Sequence, residues 1–369
     1  MKIALVYDRV NKWGGAERAL LALHELFPEA PLFTAVYSKK AAAWAKVFPK
    51  VIPSFLQKIP FTNTNHELLG TFTPLAFESF DFEGYDLVIS VTSEAAKGII
   101  TKPGTVHICY CLTPTRYLWS AHDLYFRHPP SKFKYFPFFW QITRPLVWYL
   151  RKWDKMAAQR PDEMVGISNA VRERINKYYR RQAKIIFPPV EVDKFKIKDS
   201  RPKRKNFYLL VGRLIPYKKA DLAIRAFNKL GLPLVIAGSG SEEARLKKIA
   251  KGNIRFVGEL TDPKLADYYR KCTALIFPQE EDFGIVVPEA QAAGAPVIAY
   301  KAGGALDTVI DGETGIFFEK QSVASLIKAV KRFEGLKFDP DKLIKNAQRF
   351  SKDNFKKSFS RLVRKYGRL

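Results

Sequence analysis

Short apolar runs alternate with stretches of helical periodicity along nearly the whole chain. Residues 2–8 read as a buried strand that Asp8 closes, and Gly14 and Gly15 lead into leucines at helical spacing over 16–27. Further strands are predicted at 32–37, 86–92, 106–112 and 163–168, mostly separated by helical stretches. A second series has strands at 207–213, 234–237, 254–257, 274–277 and 297–300, interleaved with helices starting near Lys219, Glu242, Pro263 and Pro288. This alternation predicts parallel sheets and an α/β chain of two Rossmann-like halves. Prolines stiffen 187–193 and charge dominates 194–206, so the junction is placed there, giving domains 1–190 and 191–351.

A length of 369 residues with 47% hydrophobic content supplies two separate cores. The apolar run before Asp8 is too short for a signal peptide or a membrane span, and Cys109, Cys111 and Cys272 form neither a disulfide framework nor a zinc-site spacing. A cytoplasmic protein is expected. The formal charge of +26 is spread over both halves and attracts polyanions in general: nucleic acid, anionic membrane or phosphorylated metabolites. Nucleic acid fits poorly, because the basic residues form no stripe, no RNA-binding signature occurs, and Glu281 and Glu289 would repel a phosphate backbone.

Glycines follow several of the predicted strands: Gly14-Gly15, Gly238-Ser239-Gly240 and Gly303-Gly304. Each is either a tight turn or a place where a missing Cβ lets phosphate approach the backbone. Arg213 ends a strand and Lys218 follows near a helix start, so the two suit a diphosphate, one with a planar fork of donors and one with a compact charge. The most informative stretch runs from Gln279 to Ala290. It carries Glu281, Phe283, Gly284, Ile285 and, just after Pro288, Glu289. Pro288 is read as the first helical residue, with free amides for phosphate, Glu289 for ribose hydroxyls and Glu281 for sugar hydroxyls.

These motifs, together with Ala16-Glu17-Arg18, Val211-Gly212-Arg213, the run 293–299, Gly312 and Gly315, resemble the family 4 retaining glycosyltransferases of the GT-B fold over nearly the whole chain. The resemblance implies a metal-independent enzyme without a cofactor, in which two Rossmann-like domains face each other across a cleft. The N-terminal domain would hold the acceptor, with a last helix at about 352–369 packing back on it, and the C-terminal domain the nucleotide sugar. Gly14 and Gly15 would face the donor phosphates. Arg213 and Lys218 would hold the diphosphate, Glu289 the ribose, and Glu281 with Phe283, Gly284 and Ile285 the transferred sugar; Arg213, Lys218 and Glu281 are thus the catalytic candidates. Thr113, Arg116 and Trp119 are the acceptor-side candidates.

Likeness to O-antigen-type mannosyltransferases around 116–119 favours GDP-mannose over a UDP-sugar and a role in lipopolysaccharide or other surface polysaccharide. Three positions depart from the family pattern. Leu112 stands where a histidine is common, Val287-Pro288 inverts the usual order, and Asp307 replaces a glutamate. The leucine leaves three readings: positioning by other groups, which is favoured, an altered acceptor, or a sugar-nucleotide-binding relative with weak or lost catalysis.

Residues 131–155 mix aromatics (Phe133, Tyr135, Phe136, Phe138, Trp140, Trp148, Trp153) with basic groups and prolines. The stretch is too broken to span a bilayer. It suits either the interface of an anionic membrane, with a polyprenyl-diphosphate-linked saccharide as acceptor, or a surface packed on its own core.

Overall fold

The computed structural model describes residues 1–59, 70–120, 122, 139–196 and 205–367. The aromatic positions at 133–138 lie outside the described residues, as do residues 197–204 of the predicted junction. The chain divides into two compact units, Met1–Phe187 with Lys356–Leu369, and Pro188–Phe355.

The first unit is built on a seven-stranded sheet: β1 (Ile3–Tyr7), β2 (Leu32–Thr34), β3 (Val51–Pro53), β4 (Leu87–Thr92), β5 (Val106–Cys111), β6 (Glu163–Gly166) and β7 (Lys184–Ile185). Its order is β3-β2-β1-β4-β5-β6-β7, and every pairing is parallel. The second unit carries six parallel strands: β8 (Tyr208–Val211), β9 (Leu234–Ala237), β10 (Ile254–Gly258), β11 (Leu275–Phe277), β12 (Val297–Tyr300) and β13 (Gly315–Phe318), in the order β10-β9-β8-β11-β12-β13. Both sheets therefore wind outward in two directions from a central pair, β1/β4 in one and β8/β11 in the other. Strand order reverses there, and such a switch point leaves a crevice at the carboxyl ends of the strands.

The central strands are predominantly apolar because helices cover both sheet faces; all six residues of β4, Ser90 and Thr92 included, are buried. Helix Gly15–Leu26 buries Ala19, Leu20, Ala22 and Leu23, the helical spacing that its sequence predicted. The closing helix Lys352–Val363 buries Phe359, Leu362 and Val363. Phe359 meets the Tyr110 ring edge-on with centroids 5.8 Å apart, and Lys356 pairs with Glu25 at 3.0 Å.

Helix Phe139–Ala157 covers much of the basic aromatic stretch. Leu150, Trp153, Asp154 and Ala157 are buried on one stripe, whereas Trp148, Tyr149 and Met156 are 61, 52 and 60% exposed. One face of this helix is thus packed on the core of its own unit and the other is exposed. No helix among the described residues is long and apolar enough to cross a membrane.

Candidate functional site

In the second unit the loops after β8 and β11 meet at the switch point. Arg213 leaves β8 exposed and donates to the Tyr217 hydroxyl at 3.2 Å. Tyr217 lies in the turn Pro216–Lys218, and the Lys218 ammonium stands 5.3 Å from the centre of its ring. Lys218 forms an ion pair with Glu281 Oε1, on the loop after β11, and the Gln279 amide donates to the same oxygen at 2.8 Å. Three sequence candidates, Arg213, Lys218 and Glu281, therefore join one chain of contacts.

Tyr217 and Gln279 complete that chain and were given no role from sequence, although Tyr217 adjoins Lys218 and Gln279 opens the stretch that carries Glu281. An ammonium has three protons to donate and a carboxylate about four lone-pair sites to offer, so the Lys218–Glu281 pair leaves capacity on both partners. Among the described residues Arg213 has no carboxylate partner.

Glu289 lies on helix Val286–Ala292 and is almost wholly buried, with the Tyr269 hydroxyl donating to Oε2 at 3.2 Å. The helix begins two residues before the position predicted from Pro288, so the proline stands third. The first turn has no intrahelical acceptor for its amides, and a residue without an N–H costs nothing there. Phe283 is buried against Phe350 with ring centroids 5.4 Å apart, Gly284 lies against the Phe277 ring, and Ile285 is partly exposed at the helix entrance.

Two of the glycine motifs serve the chain itself. A Cβ on Gly238 would strike the Gly212 carbonyl, because the loops after β8 and β9 pack backbone on backbone. Gly303, at φ +61°, would drive a Cβ into the carbonyl of Glu281, and the adjacent Gly304 N–H donates to that carbonyl at 2.8 Å. Close approach of backbone is sufficient to require glycine at both. Gly303 and Gly304 thereby fix the loop that bears Glu281.

In the first unit Gly14 precedes helix Gly15–Leu26 and Gly15 opens it, exposed. Behind them Glu17 is buried and accepts from the Tyr7 hydroxyl at 2.7 Å; burial first, and then the Glu17 charge, hold that phenol well above its ordinary pKa. Asp8 directly follows β1 and accepts from the Thr92 hydroxyl at 2.8 Å and from the amides of Ser93, Glu94 and Ala96 at 2.7, 3.0 and 2.9 Å. Glu94 pairs with Arg9, and burial pushes the Glu94 carboxyl pKa up. Sequence reading missed this polar knot. The clue available was Asp8 itself, a carboxylate at the carboxyl end of an otherwise apolar strand.

The acceptor-side candidates lie after β5. Thr113 is buried, and its hydroxyl has no hydrogen-bond partner among the described residues. Arg116 is partly exposed. Trp119 donates its indole N–H to Asp154 at 2.7 Å and stacks on Tyr178 with centroids 5.2 Å apart. Leu112, in place of the family histidine, is partly exposed and continues the β5 backbone by donating to the Thr92 carbonyl at 2.8 Å.

His107 is wholly buried against the Ser90 hydroxyl at 2.8 Å. Burial, with help from Arg181 and Arg160, lowers its pKa to about 3, so it is neutral and part of the core. The three cysteines are buried free thiols.

Residues 191–350, most of the second unit, match the family described as glycosyl transferases group 1. A D-inositol 3-phosphate glycosyltransferase of Streptomyces avermitilis is 28% identical over 204 residues, covering 47% of this chain and 44% of that protein. A glycogen synthase of Mycobacterium tuberculosis is 36% identical over 135 residues, 33% of this chain and 32% of that one. The chain thus spans less than half the length of these curated relatives.

Among solved structures, sucrose-phosphate synthase (tll1590) from Thermosynechococcus elongatus aligns with a TM-score of 0.71 at 18% identity, covering 99% of each chain. Anabaena Alr3699/HepE in complex with UDP-glucose aligns at 0.69 and 17%, over 99% of this chain and 100% of that one. The whole chain accordingly has the GT-B fold of two Rossmann-like domains, and its residues 191–350 match glycosyl transferases group 1.

Proposed function

We propose that this chain is a retaining, metal-independent glycosyltransferase that moves a hexose from a nucleotide diphosphate sugar to a saccharide or lipid-linked saccharide in surface polysaccharide assembly. The observation that carries the reading is the Arg213–Tyr217–Lys218–Glu281–Gln279 chain at the β8/β11 switch point, inside the segment that matches group 1 glycosyl transferases.

Arg213 and the spare protons of Lys218 neutralise the departing diphosphate, the charge that grows in the transition state. Glu281 Oε2, which its two partners leave open, accepts from a sugar hydroxyl, and Glu289 serves the ribose. Gly14, Gly15 and their neighbours offer amides to the phosphates. The bond from C1 to the diphosphate oxygen breaks while the acceptor oxygen bonds C1 on the same face, and the acceptor proton passes to the departing phosphate. No protein base is needed, so Leu112 removes nothing essential.

GDP-mannose is the first donor proposed. A UDP-sugar is the second, supported by the UDP-glucose complex of the HepE structure. The test is melting of the protein with GDP, UDP, ADP and dTDP in turn, in EDTA and then in magnesium. A nucleotide at about a hundred times its Kd adds roughly 2.7 kcal/mol, or about 5–10 °C for a unit of this size. One selective shift, present in EDTA, is expected. No shift with any nucleotide in the folded protein overturns the donor site, and a shift only with magnesium overturns metal independence.

A lipid-linked acceptor at the cytoplasmic face of an anionic membrane is supported by the exposed Trp148, Tyr149 and Met156 and by Lys152, whose ammonium lies 3.7 Å from the Trp148 ring centre. The protein is expected to sediment with vesicles containing phosphatidylglycerol and not with pure phosphatidylcholine. Equal partition between the two would remove this part of the reading.

A further inference from the structure

The carboxylate of Asp154 sits where several segments of the first unit converge. Asp154, on helix Phe139–Ala157, and Lys97, on the turn Ala96–Gly98 after β4, are each 1% exposed, with Lys97 Nζ 2.5 Å from Asp154 Oδ1. Three more donors reach the carboxylate: the Thr115 hydroxyl at 2.9 Å, the Tyr179 hydroxyl at 2.8 Å and the Trp119 indole N–H at 2.7 Å. That fills its roughly four acceptor sites. Lys97 also donates to the Glu94 carbonyl and, at 3.3 Å, to the Thr115 hydroxyl.

Thr115 and Trp119 both belong to segment 112–119 after β5. The segment is clamped again by Arg151 Nε, which donates to the Leu118 carbonyl at 2.6 Å.

Stability alone does not account for this arrangement. A buried ion pair is typically no more stable than well-packed apolar side chains of the same volume. What directed bonds supply, and an apolar cluster does not, is a single orientation for Thr115 and Trp119. That orientation fixes the path of the intervening chain, which carries Arg116, and of its neighbour Thr113.

We infer that Asp154 and Lys97 are positioning residues that set the conformation of segment 112–119 for acceptor recognition. The inference rests on the transferase reading above. Neither residue touches substrate; both act through Thr115 and Trp119.

The test uses two double variants of the full chain. Lys97→Met with Asp154→Leu removes both charges at nearly constant volume and avoids the unpaired buried charge that either single change would leave. Lys97→Met with Asp154→Asn keeps one acceptor oxygen, which two of the donors Thr115, Trp119 and Tyr179 can share, and its amide N–H can donate to the hydroxyl left over. Two quantities are read: amide hydrogen exchange, and the kinetics of transfer from GDP-mannose or UDP-glucose to methyl α-mannoside and methyl α-glucoside as acceptor probes.

The leucine variant is expected to keep its nucleotide-induced melting shift and the protection of β1, β4 and β5. Its segment 112–119 should exchange about ten-fold faster or more. Its acceptor KM should rise by a similar factor, with the donor KM within about two-fold of wild type. The asparagine variant should recover part of both losses. Unchanged exchange and acceptor KM in a folded leucine variant overturn the inference, as does protection lost equally throughout the unit. If the leucine variant does not fold, the same two readouts on the asparagine variant decide. If wild type transfers sugar to neither probe, the transferase reading loses support and the exchange result alone decides the positioning role.

Discussion

Gly303 offers a test of how the Glu281 loop is held, because the second unit contains its own control. Gly303 and Gly312 both adopt left-handed backbone, at φ +61° and +78°. A Cβ at Gly312 meets nothing within 4 Å, whereas one at Gly303 overlaps the Glu281 carbonyl and approaches Glu280 Cγ at 3.1 Å. Gly312→Ala therefore bears only the conformational cost, about 1–2 kcal/mol. Gly303→Ala bears that cost and an overlap with backbone, which cannot rotate away as a side chain would, adding about 1–3 kcal/mol.

At about 2–4 °C per kcal/mol for a unit of this size, the two variants should melt roughly 4 °C and 10 °C below wild type. Relief of the overlap must move Glu281, so Gly303→Ala should also weaken the response to nucleotide sugar, while Gly312→Ala leaves it intact. Urea denaturation and melting, with and without nucleotide sugar, read both effects. Equal destabilisation by the two alanines would show that the Gly303 backbone does not press on Glu281, and would refute the reasoning.

Arg213→Ala and Lys218→Ala should each lower turnover by on the order of 10²–10³, the usual cost of removing one donor from developing charge, with little change in melting without ligand. Arg213→Lys should recover little, because an ammonium lacks the planar fork; turnover within about ten-fold of wild type in both alanine variants would contradict the assignment. His107 titrates near 6.5 when unfolded and near 3 when folded. The unfolded chain therefore takes up the proton first, and the stability contributed by His107 is full above about pH 6.5 and falls toward pH 3. Between pH 7 and 5 wild type should lose roughly 2 kcal/mol more than His107→Gln, measured by urea denaturation at each pH. Equal losses would mean that His107 takes up its proton as readily in the folded protein as in the unfolded chain.

The central strands were legible because parallel strands covered on both faces become predominantly apolar runs, as in Ile3–Tyr7 and, broken only by Ser90 and Thr92, Leu87–Thr92. Of the four edge strands only β10 was. β3 has three residues and ends in proline, β7 has two, and β13 opens on Gly315, so none carries a run long enough to stand out. In the candidate site Arg213, Lys218 and Glu281 were legible because each follows a strand and lies in a recognisable motif. Asp8, Lys97 and Asp154 were not, since their partners are distant in sequence: Asp8 binds Thr92 and Asp154 binds Lys97. Nothing local distinguishes Asp154 from a solvated helix residue. Its meaning comes only from burial and from the donors that tertiary packing brings to it.

The two switch points differ in how far their charges are already satisfied. In the first unit Asp8 accepts three backbone amides and a hydroxyl, Asp154 is surrounded by Lys97 and three neutral donors, and Arg9 is neutralised by Glu94. Carboxylates so saturated organise loops and have little left to give a ligand. In the second unit Arg213 spends one donor on a neutral phenol, and Lys218 shares its single carboxylate with Gln279. Cations outnumber anions in that contact chain, a charge balance that the proposed nucleotide diphosphate would complement. The same difference assigns separate consequences to mutation: changes at Asp8 or Asp154 should disturb loop conformation, and changes at Arg213 or Lys218 should disturb chemistry while leaving the loops as they are.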